Sequence, residues 1–472
     1  MKRGIGIDLG TFHTVATSVK NNNDFLVPKN SIPSIALIFL NTIYVGNKAR
    51  DQLDLSDDME LILTPKLLLH DDSKKDILRT IIRKLADQAL DDIDYSNNQA
   101  ANIVITVPPD WTMEQCLLVE EAVDEINVKT SFIHEPIALL IATRYLAYKA
   151  NSKILAKLEN TELFLVCDWG AGTVDIALVK VVKYGERYEF SCIGDFTDRD
   201  HGGSSIARDI IRQYDNSLDI KEVNKNAYYL QLSWQGDKLE DFSHYQAITS
   251  TRRDTAANIV SDKINNLFKK NGITAKTSIS CILHGGPLES EELRSILKDK
   301  LINKLNLTDR QFIHIGNKFT ESLSFDKLPW RRDVLVSVGA SLFASRGKVL
   351  PEFKYEIALK NSSGEICSKV PLEIRQNLSG IQVIRPPYTN CDYYVEVQQV
   401  QRDRSMTAQK KELGLYVRPN AVLRYQICEA GVGFACIEVS EVEDLPVPLD
   451  FIDSRSERVR LPECSTIFSI TF

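Results

Sequence analysis

The chain has 472 residues, enough for two or three domains with a sizeable core. With 43% apolar and 26% charged residues it is globular rather than disordered, and a net charge of −7 without a long basic run argues against nucleic acid as a main partner. Nine cysteines stand singly with no Cys-x-x-Cys pair, so neither a disulfide framework nor a zinc site is expected.

Met1-Lys2-Arg3 runs straight into a strand that Asp8 interrupts, which is not a secretory leader. The apolar run 32–40 contains Pro33 and is too short to span a bilayer. A cytoplasmic protein with no membrane partner is expected. Residues 4–16 read as strand, tight turn, strand, with Asp8, Gly10, Thr11, Phe12 and His13 around the turn. A strand pair is expected through Ile43-Tyr44-Val45-Gly46. Lys66 follows Pro65 in an apolar run and reads by itself as a snorkelling lysine.

Ile77, Leu78, Ile81, Ile82, Leu85 and Ala89 recur at helical spacing and predict a helix over 75–90. A buried strand is expected over 103–107, stopped by Pro108-Pro109. Thr112 and Gln115 form a capping box for the next helix. Thr130 to His134 reads as a short strand and Pro136 as the first turn of a helix, which leaves Glu135 at the junction.

Apolar runs then flank Asp168-Trp169-Gly170-Ala171-Gly172-Thr173-Val174-Asp175. Glycines let backbone amides approach a phosphate, threonine adds a hydroxyl, and a carboxylate at a strand end suits a hydrated Mg²⁺. Alone, this turn reads equally as an ordinary hairpin with an acidic tip. Its recurrence at Asp8 to His13 favours two hairpins closing on one polyphosphate.

Further on, Gly202-Gly203 opens a helix bearing Ile206, Ile210 and Ile211, and His201 before it reads as a structural hydrogen-bonder. Residues 234–241 offer Lys238 and Glu240 as polar side chains, although Gly236 weakens a helix there. Asp254 is read as the cap of a helix bearing Ala257, Val260, Ile264 and Leu267. A strand from Ser280 ends in His284-Gly285-Gly286-Pro287, and Asp333 precedes an apolar helix with Gly339-Ala340.

In combination these motifs resemble the actin-like ATPase superfamily. Thr106-Val107-Pro108, then a helix, then Glu135-Pro136, resembles its DnaK-type (seventy-kilodalton heat-shock) chaperones in particular. The resemblance implies an α/β fold: a duplicated, two-lobed, ribonuclease-H-like domain over 1–345, a linker over 346–352, and a β-rich domain over 353–472. It implies ATP/ADP and Mg²⁺ as cofactors. Asp8 and Asp168 would hold the metal through water, Lys66 and Glu135 would position the attacking water, and Thr173 would meet the γ-phosphate. Nucleotide contacts would come from Gly10, Thr11, Phe12, His13, Gly170, Ala171, Gly172, Gly202, Gly203, Lys238, Gly285, Gly286, Pro287 and Asp333.

The chain also departs from the family pattern. Phe12 replaces a second threonine, and Glu289 stands where an arginine would stack on adenine. Period-two alternation at Tyr393, Val395 and Val397 and at Phe468, Ile470 and Phe472 predicts strands beyond residue 353, with no helical lid. The implied activity is ATP hydrolysis to ADP and phosphate that controls binding of a protein or peptide client by the β domain, with a co-chaperone or exchange factor as further partner. The rival readings are a nucleotide-sensing or catalytically weak scaffold, a small-molecule kinase on the same fold and a filament-forming protein.

Overall fold

Alternating and continuous apolar runs bounded by glycine and proline dictate the strands, and 3.6-residue periodicity dictates the helices between them. The computed structural model describes residues 3–20, 24–40, 42–53, 60–63, 65–69, 72–95, 101–111, 113–124, 130–150, 161–234, 246–274, 277–316, 331–352, 355–371, 382–384, 393–399, 410–417, 421–429, 435–443, 456–461 and 465–471. Its contacts divide the chain into two compact units, Met1–Gly347 with Ile470–Phe472, and Lys348–Ser469.

The first unit is mixed α/β. In chain order its main elements are β1 (Arg3–Leu9), β2 (His13–Lys20), β3 (Asp24–Leu26), α1 (Lys75–Asp91), β4 (Ala101–Val107), α2 (Met113–Asp124), β5 (Thr130–His134) and α3 (Glu135–Ala150). Then come β6 (Leu163–Trp169), β7 (Val174–Tyr184), β8 (Arg187–Asp198), α4 (Gly203–Tyr214), α5 (Ile220–Trp234), α6 (Gln246–Lys270), β9 (Ser280–His284), α7 (Glu291–Leu305), β10 (Phe312–His314) and α8 (Leu335–Arg346).

Two of the sheets share one order over five strands. The first runs β3-β2-β1-β4-β5 and the second β8-β7-β6-β9-β10. In each, the first three strands are antiparallel neighbours and the last two join in parallel. Parallel strands covered on both faces need apolar residues throughout. β6 meets that demand, with Phe164 to Cys167 fully buried.

The helical stripes read from the sequence are the buried faces, except that Ile77 of α1 is 37% exposed. α1 buries Leu78, Ile81, Ile82, Leu85 and Leu90, each contributing about 1.5–3 kcal/mol of apolar transfer. The second sheet's core joins β6, β7 and β9 to α4, α5, α6 and α7. α8 is almost wholly buried, and a Cβ on its Gly339 would lie 2.5 Å from the carbonyl carbon of Ala138 in α3. Only a glycine permits that approach.

Two expectations change. Asp254 does not cap a helix: α6 begins at Gln246 and runs through it, and Lys300 Nζ stands 2.9 Å from its Oδ1. The stretch before Asp254 lacks glycine and proline, so nothing stops the helix from extending backwards. Likewise, Lys348–Glu352 is a strand rather than free linker chain, antiparallel to Ser465–Ser469. Within the second unit the described elements are strands. Tyr355–Lys360 pairs with Ile366–Pro371 and Tyr393–Gln399, and Ala421–Glu429 with Ala435–Glu443. Thr112, the expected capping residue, lies outside the described residues. No described helix is long and apolar enough to cross a membrane.

Candidate functional site: a cleft between two hairpin tips

The hairpins β1–β2 and β6–β7 share one register. Asp8 faces Val15 and Leu9 faces Thr14, as Asp168 faces Asp175 and Trp169 faces Val174. Four residues form each tip, Gly10 to His13 in one and Gly170 to Thr173 in the other. In the second, Gly170 N donates to Thr173 O at 2.8 Å. In the first, a Cβ on Gly10 would run into His13 O.

The tips meet. A Cβ on Gly172 would fall 2.7 Å from Thr11 Cβ. Phe12 completes the junction by packing its ring 5.1 Å, centroid to centroid, from Tyr228 of α5. Phe12 thus gives the first tip an aromatic contact with the helices of the second sheet.

Each tip carboxylate is gripped by the residue beside it on the neighbouring parallel strand. Asp8 pairs in register with Thr106 and Asp168 with His284. Thr106 Oγ1 donates to Asp8 Oδ1 at 2.8 Å. His284 Nδ1 lies 2.9 Å from Asp168 Oδ1, and its Nε2 lies 3.3 Å from the Arg332 carbonyl oxygen. His284 is a site residue that the sequence reading missed. Its place just before Gly285-Gly286, level with Asp168, was the available signal.

Lys66 does not snorkel. It sits in a 3-10 turn, Pro65–Leu68, is 6% exposed, and donates from Nζ to Glu135 Oε1. Glu135 opens α3 and is itself buried. Burial pulls the Lys66 ammonium down, but Glu135 and Asp8 outweigh it and hold the group above its ordinary value. Burial, then Glu135, pushes the Asp8 carboxyl up to about 7. The same two causes push Asp175 well above the usual carboxylate range. Thr173 Oγ1 donates to Asp175 Oδ2 at 2.6 Å and Thr197 Oγ1 donates to Oδ1 at 2.7 Å. The Thr173 hydroxyl is therefore oriented by Asp175, which the sequence reading left without a role.

Around these groups opens a cleft. It is lined by Asp8, Gly10 to His13, Glu135, Asp168, Gly170, Ala171, Thr173, Asp175, Gln231, Trp234, His284 to Pro287, Arg332, Asp333 and Val336. His13 is kept neutral, its imidazole pushed down to about 4 by burial. Asp333 is held by a two-pronged hydrogen bond from Arg331, at 3.0 and 3.1 Å. Gly285 adopts φ +113° with its Cα against the Trp169 backbone, which brings the Gly-Gly turn to the end of β6.

Gly202 and Gly203 do not line the cleft. Gly203 N donates to Gly170 O at 3.0 Å and Ser204 N to Ala171 O at 2.6 Å. These amides at the start of α4 brace the second tip, leaving them no donor for a phosphate. Gly172 is likewise a contact between tips rather than a wall of the cleft. Lys238 and Glu240 lie outside the described residues.

No group of three or more His, Cys, Asp or Glu side chains among the described residues is arranged to ligate a bare ion. A hydrated Mg²⁺ asks for no such cage. Asp8 commits one oxygen to Thr106 and Asp168 one to His284, and both residues line the cleft, a donor set that suits Mg²⁺ held through water. No protein-family model matches the chain.

Proposed function

We propose that this protein is a DnaK-like ATPase of the actin-like superfamily. Its first unit is a duplicated two-lobed domain that takes ATP and Mg²⁺ in the cleft, and its nucleotide state controls partner binding by the β-rich second unit. The observation that carries this reading is the meeting of the two hairpin tips, with Thr11 against Gly172 and both tip carboxylates facing one cleft. The matched strand orders of the two sheets support the duplication.

In this reading Asp8 and Asp168 would hold a Mg²⁺ through its water shell, and it would supply charge neutralisation for the phosphates. Backbone amides of the two tips receive the phosphate oxygens, as preorganised donors do for developing charge. Glu135, fixed by Lys66, accepts a hydrogen bond from the attacking water and sets its line of approach. Lys66 remains a cation beside it and offsets the charge that builds on the transferred group. With nucleotide bound, Thr173 turns its hydroxyl from Asp175 Oδ2 to the γ-phosphate. Release of phosphate relaxes the tips and shifts the second unit's affinity for a protein or peptide client.

Single-turnover hydrolysis tests the chemistry. Lys66→Ala and Asp168→Asn should each slow the step by about 100-fold or more. Unchanged turnover in both would remove these residues from the mechanism.

A further inference from the structure

His13 closes the first hairpin tip as Thr173 closes the second, and both residues line the cleft. The Thr173 hydroxyl is engaged by Asp175, but the His13 imidazole has no hydrogen-bond partner among the described residues. Both of its ring nitrogens keep accessible surface. The ring is also held. Phe12 meets it edge-on with centroids 4.7 Å apart, and Phe12 is itself packed on Tyr228. The His13 backbone pairs in register with Pro33 of the strand Ile32–Pro33. An imidazole fixed in this way loses little freedom on meeting a ligand.

Its surroundings decide which ligand. The charged groups acting on it are Asp333, Arg332 and Arg331 from the turn before α8, and Arg50 from the short helix Asn47–Arg50. Burial keeps the ring neutral; of these groups Asp333 favours a proton on it, and the three guanidinium groups oppose one. The carboxylates of Asp8, Glu135, Asp168 and Asp175 line the rest of the cleft and are engaged by Thr106, Lys66, His284, and Thr173 with Thr197. A phosphate chain brings acceptors only, which a neutral imidazole meets with one N–H and a protonated imidazole with two. Its negative charge also favours the protonated form.

We propose that His13 couples polyphosphate binding to proton uptake: as the phosphates enter, the neutral imidazole takes one proton from solvent and becomes a charged donor to their oxygens. This rests on the triphosphate reading of the cleft and adds its regulation. The site grips polyphosphate harder as pH falls, and the effect belongs to the phosphates rather than to the base. Thr173, the matching residue of the second tip, carries no group that titrates in this range, so the two tips answer pH differently.

The test is calorimetric titration of the full chain with the Mg²⁺ complexes of inorganic tripolyphosphate and of ATP. Buffers of different ionisation heat count the protons taken up on binding. Asp8 and the ligands carry protons of their own, so the measurement is a difference between the parent and His13→Gln. At pH 5 the parent should take up more protons per ligand than the variant, by up to about one. Bound phosphate should carry the His13 midpoint from about 4 to between about 5 and 7. The parent's affinity relative to His13→Gln should therefore rise by about 10-fold from pH 7.5 to pH 5, with both ligands alike. In parent chain labelled at its histidine rings, tripolyphosphate should move one imidazole midpoint upward by NMR, a reading that needs no variant to fold. Thermal melts at both pH values establish that His13→Gln is folded, and His13→Asn replaces it should it not fold. Equal proton uptake with a constant affinity ratio, or no imidazole midpoint that moves, would overturn this assignment and leave the phosphate site standing. If the parent bound neither ligand at either pH, the triphosphate reading itself would fall.

Discussion

Thr11 occupies the space that a side chain on Gly172 would need. Both tips line the cleft, so Gly172→Ala should spread it. A misplacement of about 1 Å at a reacting centre can lower turnover by roughly 100-fold, and overpacking costs about 1–3 kcal/mol of stability. Thr11→Gly in the same chain should recover part of the turnover. Steady-state kinetics and thermal melts of the single and double variants measure this; full activity in Gly172→Ala would show that the tips do not set the geometry.

His284 orients Asp168 and is itself tied to the backbone at Arg332. Removing a group that orients a metal-holding carboxylate commonly weakens metal affinity by about 10- to 100-fold. His284→Val should therefore raise the Mg²⁺ concentration needed for half-maximal turnover by that factor, while turnover at saturating Mg²⁺ changes much less. An unchanged Mg²⁺ requirement would assign His284 to packing alone.

The Phe12–Tyr228 pair ties the first tip to α5. Aromatic pairs of this geometry are worth about 0.5–1.5 kcal/mol beyond the area that they bury. If the lobes must part for nucleotide to leave, Phe12→Thr should speed release of a fluorescent ADP analogue by about 2- to 10-fold. A release rate equal to the parent's would mean that this contact is not broken on the exit path.

The His134 imidazole is pushed down to about 4 by burial alone. Unfolded, it titrates near 6.5, so between these values the unfolded chain binds the extra proton. Its contribution is thus fully present above about pH 6.5 and is lost as pH falls toward 4, by up to about 3 kcal/mol. Asp8 and Asp175, with raised values, act in the opposite sense, gaining stability as pH falls. The measurement is therefore a difference: denaturant unfolding of the parent against His134→Gln at pH 7.5 and 5. The parent should lose stability relative to the variant at pH 5, and a constant gap would contradict the assignment.

Much of the local structure was legible before the fold was known. β5 and β9 run over the stretches the sequence marked for them, α1 ends one residue beyond its expected limit, and both acidic hairpins formed. Their causes lie among near neighbours: apolar spacing, Pro136 at a helix start, and glycines at the tips. The helix through Asp254 was mis-started because a residue suited to capping caps only where the chain ahead of it leaves the helix, and here it does not.

What the sequence determined on its own was the set of pieces and their acidic, glycine-rich ends. Packing across long separations decided the rest. It put Lys66 on Glu135, matched His284 to Asp168, turned the amides of Gly203 and Ser204 onto the second tip, and carried Arg332 into the cleft. A side chain's partner is chosen by which buried donors and charges must be satisfied once the sheets and helices close around it. That requirement comes into being only in the folded chain.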